Sequence, residues 1–453
     1  MQSNGATTPT PLVLTWGHLE NLTFYCQIIY LIIFQKKSGN NYFRHIKTQL
    51  KIYTITRLMK TQTLFRSLII LLVFGSLFSC RQKPIDPSIV RSSKYKKSVT
   101  EAYQKIGLFC TINYVPGLTV AVSIDNQLVW ADGFGYSSYE LKTKTSSTHK
   151  FRIGQVSELI TSLTTAKLYE EGKLKIDQPV SELLPELSQK KVSYTIHQLG
   201  VHASGLREEK TAAGKGNSTN FETLIASFIN DSLLYEPGKY TSHTELGFDL
   251  IGYIIQKTNN EPFTKVVKKT LLDTLKLMNT VPDNPYSIIE NKSNTYDYDY
   301  ISQPMVSGPI DLRNKEASAG YLSSVLDLVK MGNTLLYPGF LKQETINLIT
   351  KPYILKTGQT SSFGFGLIVN KDNEGKTFLG QKGVVNGGSS TLLIYPEDKL
   401  VIAIACNIGN GSWELPVFEV ASIFQDQLHP ERKAKMEETQ KQEGKAPKTP
   451  ETK

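Results

Sequence analysis

Alternating apolar and polar residues early in the long globular stretch predict a β-hairpin. Residues 118–124 and 127–134 both alternate, and Asp125-Asn126 between them favours a tight turn. The spaced apolar residues of 98–113, just before the hairpin, predict an opening helix. The folded part of the chain is therefore expected to begin with a helix followed by two antiparallel strands.

Helical periodicity dominates the middle of the chain. Residues 155–171 place apolar side chains three and four positions apart and end at Gly172, which suits a helix C-cap. Further helical stretches are 193–201, 223–230, 246–257 and 263–271. Strand-like patterns return at 362–369, 390–395 and 400–406. We therefore predict an α/β fold, in which both ends share one antiparallel sheet flanked by helices, with a helical region inserted.

The positive charge of the chain lies mainly outside this predicted domain. The formal net charge is +10 over 453 residues. Residues 1–58 contribute +5, residues 59–80 contribute +2 and residues 431–453 contribute +2, which leaves +1 for 81–430. A nearly neutral domain lacks the basic footprint of a nucleic-acid-binding protein, so nucleic acid is not an expected partner.

An internal segment resembles a bacterial lipoprotein signal peptide. From Met59 the chain has a positive start with Lys60 and Arg66, followed by an apolar stretch at 68–78. The closing Leu-Phe-Ser-Cys is typical of a lipobox and predicts lipidation of Cys80. The chain would then be held by its lipid at a bacterial membrane of the cell envelope. The alternative is an ordinary membrane-anchoring or buried apolar segment.

This interpretation divides the chain into five parts. They are an unstructured upstream extension at 1–58, the signal peptide at 59–80, a tether at 81–93, the folded domain at 94–430 and a charged disordered tail at 431–453. The cysteines define no disulfide framework, and the sequence leaves open whether Cys110 and Cys406 pair.

Six segments in order carry a family resemblance. They are 114–136, 151–187, 197–206, 235–252, 317–332 and 395–407. Together they resemble the serine β-lactamase and penicillin-binding protein family, and within it the class C β-lactamase-related serine hydrolases. The resemblance implies an α/β sandwich with an inserted all-α subdomain and a cleft between them. It also implies acyl transfer by a Ser and a Lys three residues later, aided by a Tyr, a further cation and backbone N–H groups.

The reactive positions of that family hold other residues here. Gln155 and Glu158 occupy the Ser and Lys positions of the nucleophile helix, and an amide is not a nucleophile at neutral pH. His243 and Glu245 occupy the Tyr-x-Asn positions, and Gln381 occupies the Lys or His position on the edge strand. We interpret these five as vestigial catalytic positions, and we predict no catalytic residue.

Other hydroxyl and imidazole groups near the predicted cleft have simpler interpretations. Ser204, Ser242, Ser389 and Ser390 suit turn-forming or capping roles. His202 is interpreted as a hydrogen-bonded structural histidine. The pairs Ser147/Lys150 and Ser188/Lys191 have the Ser–Lys spacing but lie outside the start of a helix.

The resemblance brings Glu158, His243 and Glu245 together in the cleft, and three hypotheses remain for them. They form a mutually satisfied polar cluster, they line a reshaped binding site for a peptide or cell-wall fragment, or they bind a divalent metal or act as an acid/base pair. Their spacing matches no recognised metal motif, so neither a metal nor a cofactor is assigned from the sequence.

The leading functional hypothesis is a catalytically silent, lipid-anchored relative of the family that binds a ligand or partner at the cell envelope. This hypothesis is based on the replacement of both the nucleophile and the cations, because these groups act together in catalysis. One alternative is an active serine hydrolase on esters, D-amino-acid peptides or β-lactams. Another is a scaffold protein of the envelope, which would expose an apolar patch away from the cleft.

Overall fold

The computed structural model describes residues 88–185, 193–208, 220–228 and 231–431. The predicted upstream extension, the signal peptide with Cys80, and the tail beyond Glu431 lie outside these residues, so those assignments stay predictions. No helix in the described ranges is both long enough and apolar enough to cross a membrane.

A large antiparallel sheet forms the centre of the fold. The described strands are β1 (Val90–Arg91), β2 (Gly117–Ile124), β3 (Gln127–Ser138), β4 (Thr143–Lys144), β5 (Phe151–Arg152), β6 (Val281–Pro282), β7 (Tyr296–Tyr298), β8 (Pro304–Val306), β9 (Tyr321–Ser323), β10 (Phe363–Gly364), β11 (Leu367–Lys371), β12 (Thr377–Val385), β13 (Gly388–Tyr395) and β14 (Leu400–Cys406). The large sheet has the order β1-β3-β2-β14-β13-β12-β11-β10, and β4 pairs with β3. Strands from both ends of the domain meet where β2 pairs with β14. The predicted α/β fold with one shared antiparallel sheet is confirmed.

Helices cover both faces of this sheet. The described α-helices are α1 (Lys96–Ile112), α2 (Ser157–Glu170), α3 (Val180–Leu183), α4 (Ile196–Gly200), α5 (Phe221–Phe228), α6 (Glu245–Asn259), α7 (Phe263–Val267), α8 (Asp273–Leu275), α9 (Val325–Asn333), α10 (Gln343–Thr350) and α11 (Val417–Leu428). In β14, Ile402 and Ile404 belong to the core shared with α1 and α11. Val401 and Ala403, on the opposite face, belong to the core shared with α2 and α9. Successive strand residues point to opposite faces, so the sheet is buried between two layers.

Helix α2 runs through the middle of the inserted helical region. Most of its residues are buried, so its polar side chains need internal partners. The hydroxyls of Ser162, Thr164 and Thr165 donate hydrogen bonds to the carbonyl oxygens four residues earlier, and Thr161 donates to the carbonyl of Ala317. The helix can therefore pass through the core while presenting its first turn to the cleft.

Two features differ in detail from the sequence predictions. The stretch predicted as one strand, 362–369, is two strands, β10 and β11, which pair with each other. They are separated by a turn at Gly366, whose φ of +69° favours glycine. At the other end of the sheet, β1 pairs with β3 within the predicted tether 81–93, so the last residues of that stretch take part in the fold. Cys110 and Cys406 are both free thiols.

Candidate functional site

The turn that leads into α2 is pressed against strand β12. Residues Gly154–Val156 form a short 3-10 turn, so α2 begins after it and not at residue 155 as predicted. Gly154 has a φ of +51°, and a Cβ there would lie only 2.8 Å from the backbone nitrogen of Val384. Gly383 on the facing strand has no room for a Cβ either. This close approach of two backbones sets the Gln155 side chain beside Val384.

Both ends of the Gln155 amide are engaged. Its Nε2 donates a 2.6 Å hydrogen bond to Glu245 Oε1, and its Oε1 accepts a 2.8 Å hydrogen bond from the backbone N–H of Val384. Gln155 therefore links the start of α2 to the start of α6 and to β12. Gln155, which the family resemblance puts at the nucleophile position, is therefore fixed in place by two hydrogen bonds.

Glu158 lies in the first turn of α2 with its side chain fully buried. Its Oε2 accepts a 2.7 Å hydrogen bond from Gln381 Nε2, and His202 Nε2 lies 3.6 Å from the same oxygen. Its Oε1 lies 3.4 Å from His243 Nε2. The His243 side chain is 40% exposed, so it is the member of this group that reaches solvent.

The electrostatics of this group favour an ionised Glu158. Burial alone raises the pKa of its carboxyl, but His202 and His243 outweigh that effect and leave the pKa below its ordinary value. In turn, the Glu158 carboxylate raises the pKa of His243, although partial burial of the ring opposes this. The group therefore combines the buried Glu158 carboxyl with the His243 imidazole, whose raised pKa favours its protonated form.

His202 is held by its backbone and by its ring. Its φ of +56° is in the left-handed region, at the turn after α4. The ring Nδ1 accepts a 3.4 Å hydrogen bond from the backbone N–H of Thr244, and the ring packs against Phe248, Phe363 and His243. The residue is thus hydrogen-bonded and buried, as the sequence interpretation had it, but it also belongs to the Glu158 cluster.

Glu245 belongs to a second polar group. Its Oε2 lies 3.5 Å from Lys315 Nζ, and Lys315 donates a 2.8 Å hydrogen bond to Asp249. Lys315 and Asp249 are both fully buried, and burial raises the pKa of Asp249 to about 7. The predicted convergence of Glu158, His243 and Glu245 is therefore only partial. His243 contacts Glu158, whereas the hydrogen bond of the Glu245 carboxylate is to Gln155.

Three of the four candidate serines near the predicted cleft have a structural hydrogen bond through their hydroxyl group. Ser204 Oγ accepts a hydrogen bond from the backbone of Leu206, whereas Ser389 and Ser390 donate to backbone carbonyls of Ile408 and Ile153. For Ser147, the hydroxyl donates to the carbonyl of Ser88, and Lys150 Nζ donates to that of Glu290. Ser188 lies outside the described residues. Within the described ranges no serine hydroxyl hydrogen-bonds to a lysine or histidine side chain of the cleft.

A model of the β-lactamase family matches residues 107–416. The chain belongs to the β-lactamase family. It is 25% identical to human "Serine beta-lactamase-like protein LACTB, mitochondrial", over 68% of this chain and 76% of that protein. It is 24% identical to "Protein flp" of Staphylococcus aureus (strain COL), over 66% of this chain and 60% of that protein. The family resemblance derived from the six segments is confirmed.

A solved structure shares the fold. The octameric penicillin-binding protein homologue from Pyrococcus abyssi has a TM-score of 0.64 and 24% identity, covering 73% of this chain and 77% of that one. The mixed α/β architecture with an antiparallel sheet is thus that of the β-lactamase and penicillin-binding proteins. Membership places the chain among serine-hydrolase-like proteins and leaves its own chemistry to be judged from the cleft.

Sequence reasoning located five positions of the cleft but missed three others. Gln155, Glu158 and Gln381 could be found because the family motifs place them. His202, Lys315 and Asp249 were missed as members of the polar clusters. His202 could have been assigned to the cluster because it lies in segment 197–206, which carries the family resemblance. Lys315 and Asp249 are 66 residues apart, so no local sequence pattern indicates that they pair.

Proposed function

We propose that this chain is a β-lactamase-family protein that forms no acyl-enzyme and instead binds a ligand in its cleft. We further propose that Cys80 carries a lipid that holds it at a bacterial cell envelope. The observation that carries the first proposal is the Gln155 amide, which is hydrogen-bonded at both ends in the nucleophile position.

The contact of Gln155 with Val384 bears directly on acyl transfer. A serine hydrolase uses backbone N–H groups beside the nucleophile to stabilise the negative charge that develops on the substrate carbonyl oxygen. Here the backbone N–H of Val384 already donates to the side-chain amide oxygen of Gln155, Oε1. The Gln155 side chain therefore also occupies the backbone N–H of Val384, a donor that the substrate carbonyl oxygen would need.

Proton transfer lacks its usual group as well. A lysine three residues after the nucleophile would take up the serine proton, but position 158 holds a buried Glu whose carboxyl pKa, raised by burial, is lowered overall by His202 and His243. Its Oε2 accepts from Gln381 and faces His202. Since nucleophile, base and cation act as a unit, changing all of them together removes far more activity than changing one.

The accessible rim of the cleft suits a polar ligand such as a peptide or cell-wall fragment. His243 presents a partly exposed imidazole whose pKa is raised, and Glu245 presents a carboxylate that is 24% exposed. Opposite charges side by side favour a ligand that offers both an acceptor and a donor. Peptides and peptidoglycan fragments carry both kinds of group.

Acylation is tested by intact-mass measurement of the full chain after incubation with penicillin, ester and fluorophosphonate probes. We expect no adduct, while an active relative treated in parallel is labelled. A stoichiometric adduct that maps to one residue would overturn the proposal and identify the nucleophile.

Ligand binding is tested separately by thermal shift with a panel of short peptides and peptidoglycan fragments. We expect a shift with at least one member, reduced in Glu245→Gln and unchanged in the control Glu344→Gln, which lies on an exposed helix surface. Binding that is equal in wild type and Glu245→Gln would place the ligand elsewhere. No shift with any member would contradict the binding proposal without affecting the acylation result.

An exposed aromatic face supports a second candidate function, the envelope scaffold. Tyr114, Tyr139 and Val306 are 57%, 53% and 63% exposed, and they line one groove of about 580 Å³. Exposed apolar groups clustered in this way are typical of protein-binding surfaces. Val306→Asp would then abolish chemical cross-linking to envelope proteins in cells, and unchanged cross-links would count against the scaffold.

A further inference from the structure

Three potential metal ligands converge at the cleft from separate parts of the chain. Glu158 lies in the first turn of α2, His202 follows α4, and His243 precedes α6. One ligand atom from each residue lies within 4.8 Å of the other two. Two imidazoles and a carboxylate are the donor set that zinc and similar first-row cations accept in open sites.

The distances within this cluster are close to those a metal requires. Zinc bonds to nitrogen and carboxylate oxygen at about 2.0–2.2 Å, so a tetrahedral site separates neighbouring ligand atoms by roughly 3.3 Å. His243 Nε2 lies 3.4 Å from Glu158 Oε1, whereas His202 Nε2 lies 3.6 Å from the other carboxylate oxygen, Oε2. The ligand atoms lie within 4.8 Å of one another and the imidazole ring centroids are 4.5 Å apart, so the side chains would have to draw together around a cation.

A second observation concerns the Glu158 oxygen that lies nearest His243. Glu158 Oε1 is buried and has no hydrogen-bond partner among the described residues. Buried carboxylate oxygens are normally paired, and one left without a donor calls for an explanation. The other oxygen is held by Gln381, which fixes the carboxylate with Oε1 turned toward His243.

Access to the cluster is limited to one side. Glu158 and His202 have almost no exposed side-chain surface, whereas His243 is 40% exposed. A cation would therefore enter past His243 and keep a coordination position toward the cleft. Three protein ligands with one open position is the arrangement of an accessible zinc site, not of a closed structural one.

One contact opposes metal binding and must be given up. His202 Nδ1 accepts a hydrogen bond from the backbone N–H of Thr244, whereas a histidine bound to metal through Nε2 carries its proton on Nδ1. That hydrogen bond is long, at 3.4 Å. A metal on Nε2 would put a proton on Nδ1 facing that N–H, so Thr244 loses its acceptor and the two groups must separate, whereas the cation gains a carboxylate and two imidazoles.

We propose that Glu158, His202 and His243 form a binding site for a divalent first-row transition cation of the zinc type. Two nitrogen ligands disfavour Mg²⁺ and Ca²⁺, which prefer oxygen ligands throughout. The site goes beyond the ligand-binding function proposed above, because the cation is bound by protein side chains whether or not an organic ligand occupies the cleft.

The test is titration of the full chain, stripped of metal by a chelator, with Zn²⁺ in competition with a chromophoric chelator. Co²⁺ in a parallel titration reports coordination through its visible absorption. We expect one high-affinity site per chain. His243→Ala should weaken it by at least about 100-fold, since even residues that only support a ligand change affinity by about 10–100-fold.

His429→Ala is the matched control, because His429 also contacts carboxylates, those of Asp398 and Glu431, but lies away from the cluster. It should bind Zn²⁺ as the wild type does. Circular dichroism verifies that both variants are folded. The proposal is overturned if the wild type binds no Zn²⁺ above background, or if His243→Ala retains wild-type affinity. It is also overturned if His429→Ala loses binding to the same extent as His243→Ala.

Discussion

The buried ion pair between Lys315 and Asp249 allows a quantitative prediction for Lys315→Met. Both side chains are fully buried, and Lys315 Nζ lies 2.8 Å from Asp249 Oδ2, while Ser318 donates to the other carboxylate oxygen. Methionine keeps the length of lysine but removes the charge. The carboxyl of Asp249 then remains in the core without its cation.

The size of the effect follows from the pKa of Asp249, which burial raises from 3.8 to about 7 even beside Lys315. A raised acid pKa means that folding takes up a proton, so this group's contribution to stability is complete below pH 3.8 and is lost as pH rises through about 7. Without Lys315 the pKa rises further. In the wild type, the fall in unfolding free energy due to Asp249 ends near pH 7. In the variant, the unfolding free energy keeps falling above pH 7, by about 1.4 kcal/mol per pH unit.

The difference in unfolding free energy between wild type and variant should therefore be larger by about 2 kcal/mol at about pH 8.5 than at about pH 6. Urea unfolding of the full chain at both pH values measures this. Lys351→Met, on an exposed position, is the control. In Lys315→Met/Asp249→Asn the Asp249 carboxyl is gone, so the pH dependence that it adds should vanish. A difference between variant and wild type that is the same at both pH values would refute the reasoning.

Three further predictions concern other buried or constrained groups. Burial raises the pKa of Glu316 from 4.5 to about 8, so the unfolding free energy should fall as pH rises between these values. Urea unfolding of Glu316→Gln should show a smaller fall, and an unchanged pH dependence would contradict this prediction. Burial raises the pKa of the Cys406 thiol to about 12, so mass spectrometry should find it unalkylated by iodoacetamide until the chain is unfolded. Gly366→Ala, whose Cβ would lie 2.0 Å from Ser162 Oγ, should lower the unfolding free energy by about 1–3 kcal/mol, and a neutral result would show that the turn adjusts.

The fold was predictable from sequence where side chains alternate between two buried layers. Residues 400–406 alternate between larger and smaller apolar groups because each face of β14 meets a different helical layer. The division between β10 and β11 was missed because both strands are short and lie on either side of Gly366, so their combined pattern resembled one strand. Such a turn depends on a backbone conformation that glycine permits but does not require.

The candidate site was predictable only as far as motifs position its residues. Gln155 and Glu158 could be placed because the helix motif fixes their spacing, whereas the partners they take are set by tertiary packing. His202 reaches Glu158 because its backbone is left-handed at a turn, and the sequence does not specify this for histidine. The assignment of Glu245 to the Gln155 group, and not to the Glu158 group, likewise depends on which side of α6 faces β12.

The side chains at positions 155 and 158 both share partners with neighbouring elements, so a single change to serine or lysine there would affect several contacts at once. Serine at position 155 would leave Glu245 Oε1 and the N–H of Val384 without the partners that Gln155 provides. It would also stand three residues from a carboxylate instead of an amine. Lysine at position 158 would place an ammonium group beside His202 and His243 in a buried space that now holds a negative charge. Each single substitution is therefore expected to destabilise this group of hydrogen bonds and charges before it supplies a nucleophile or a base.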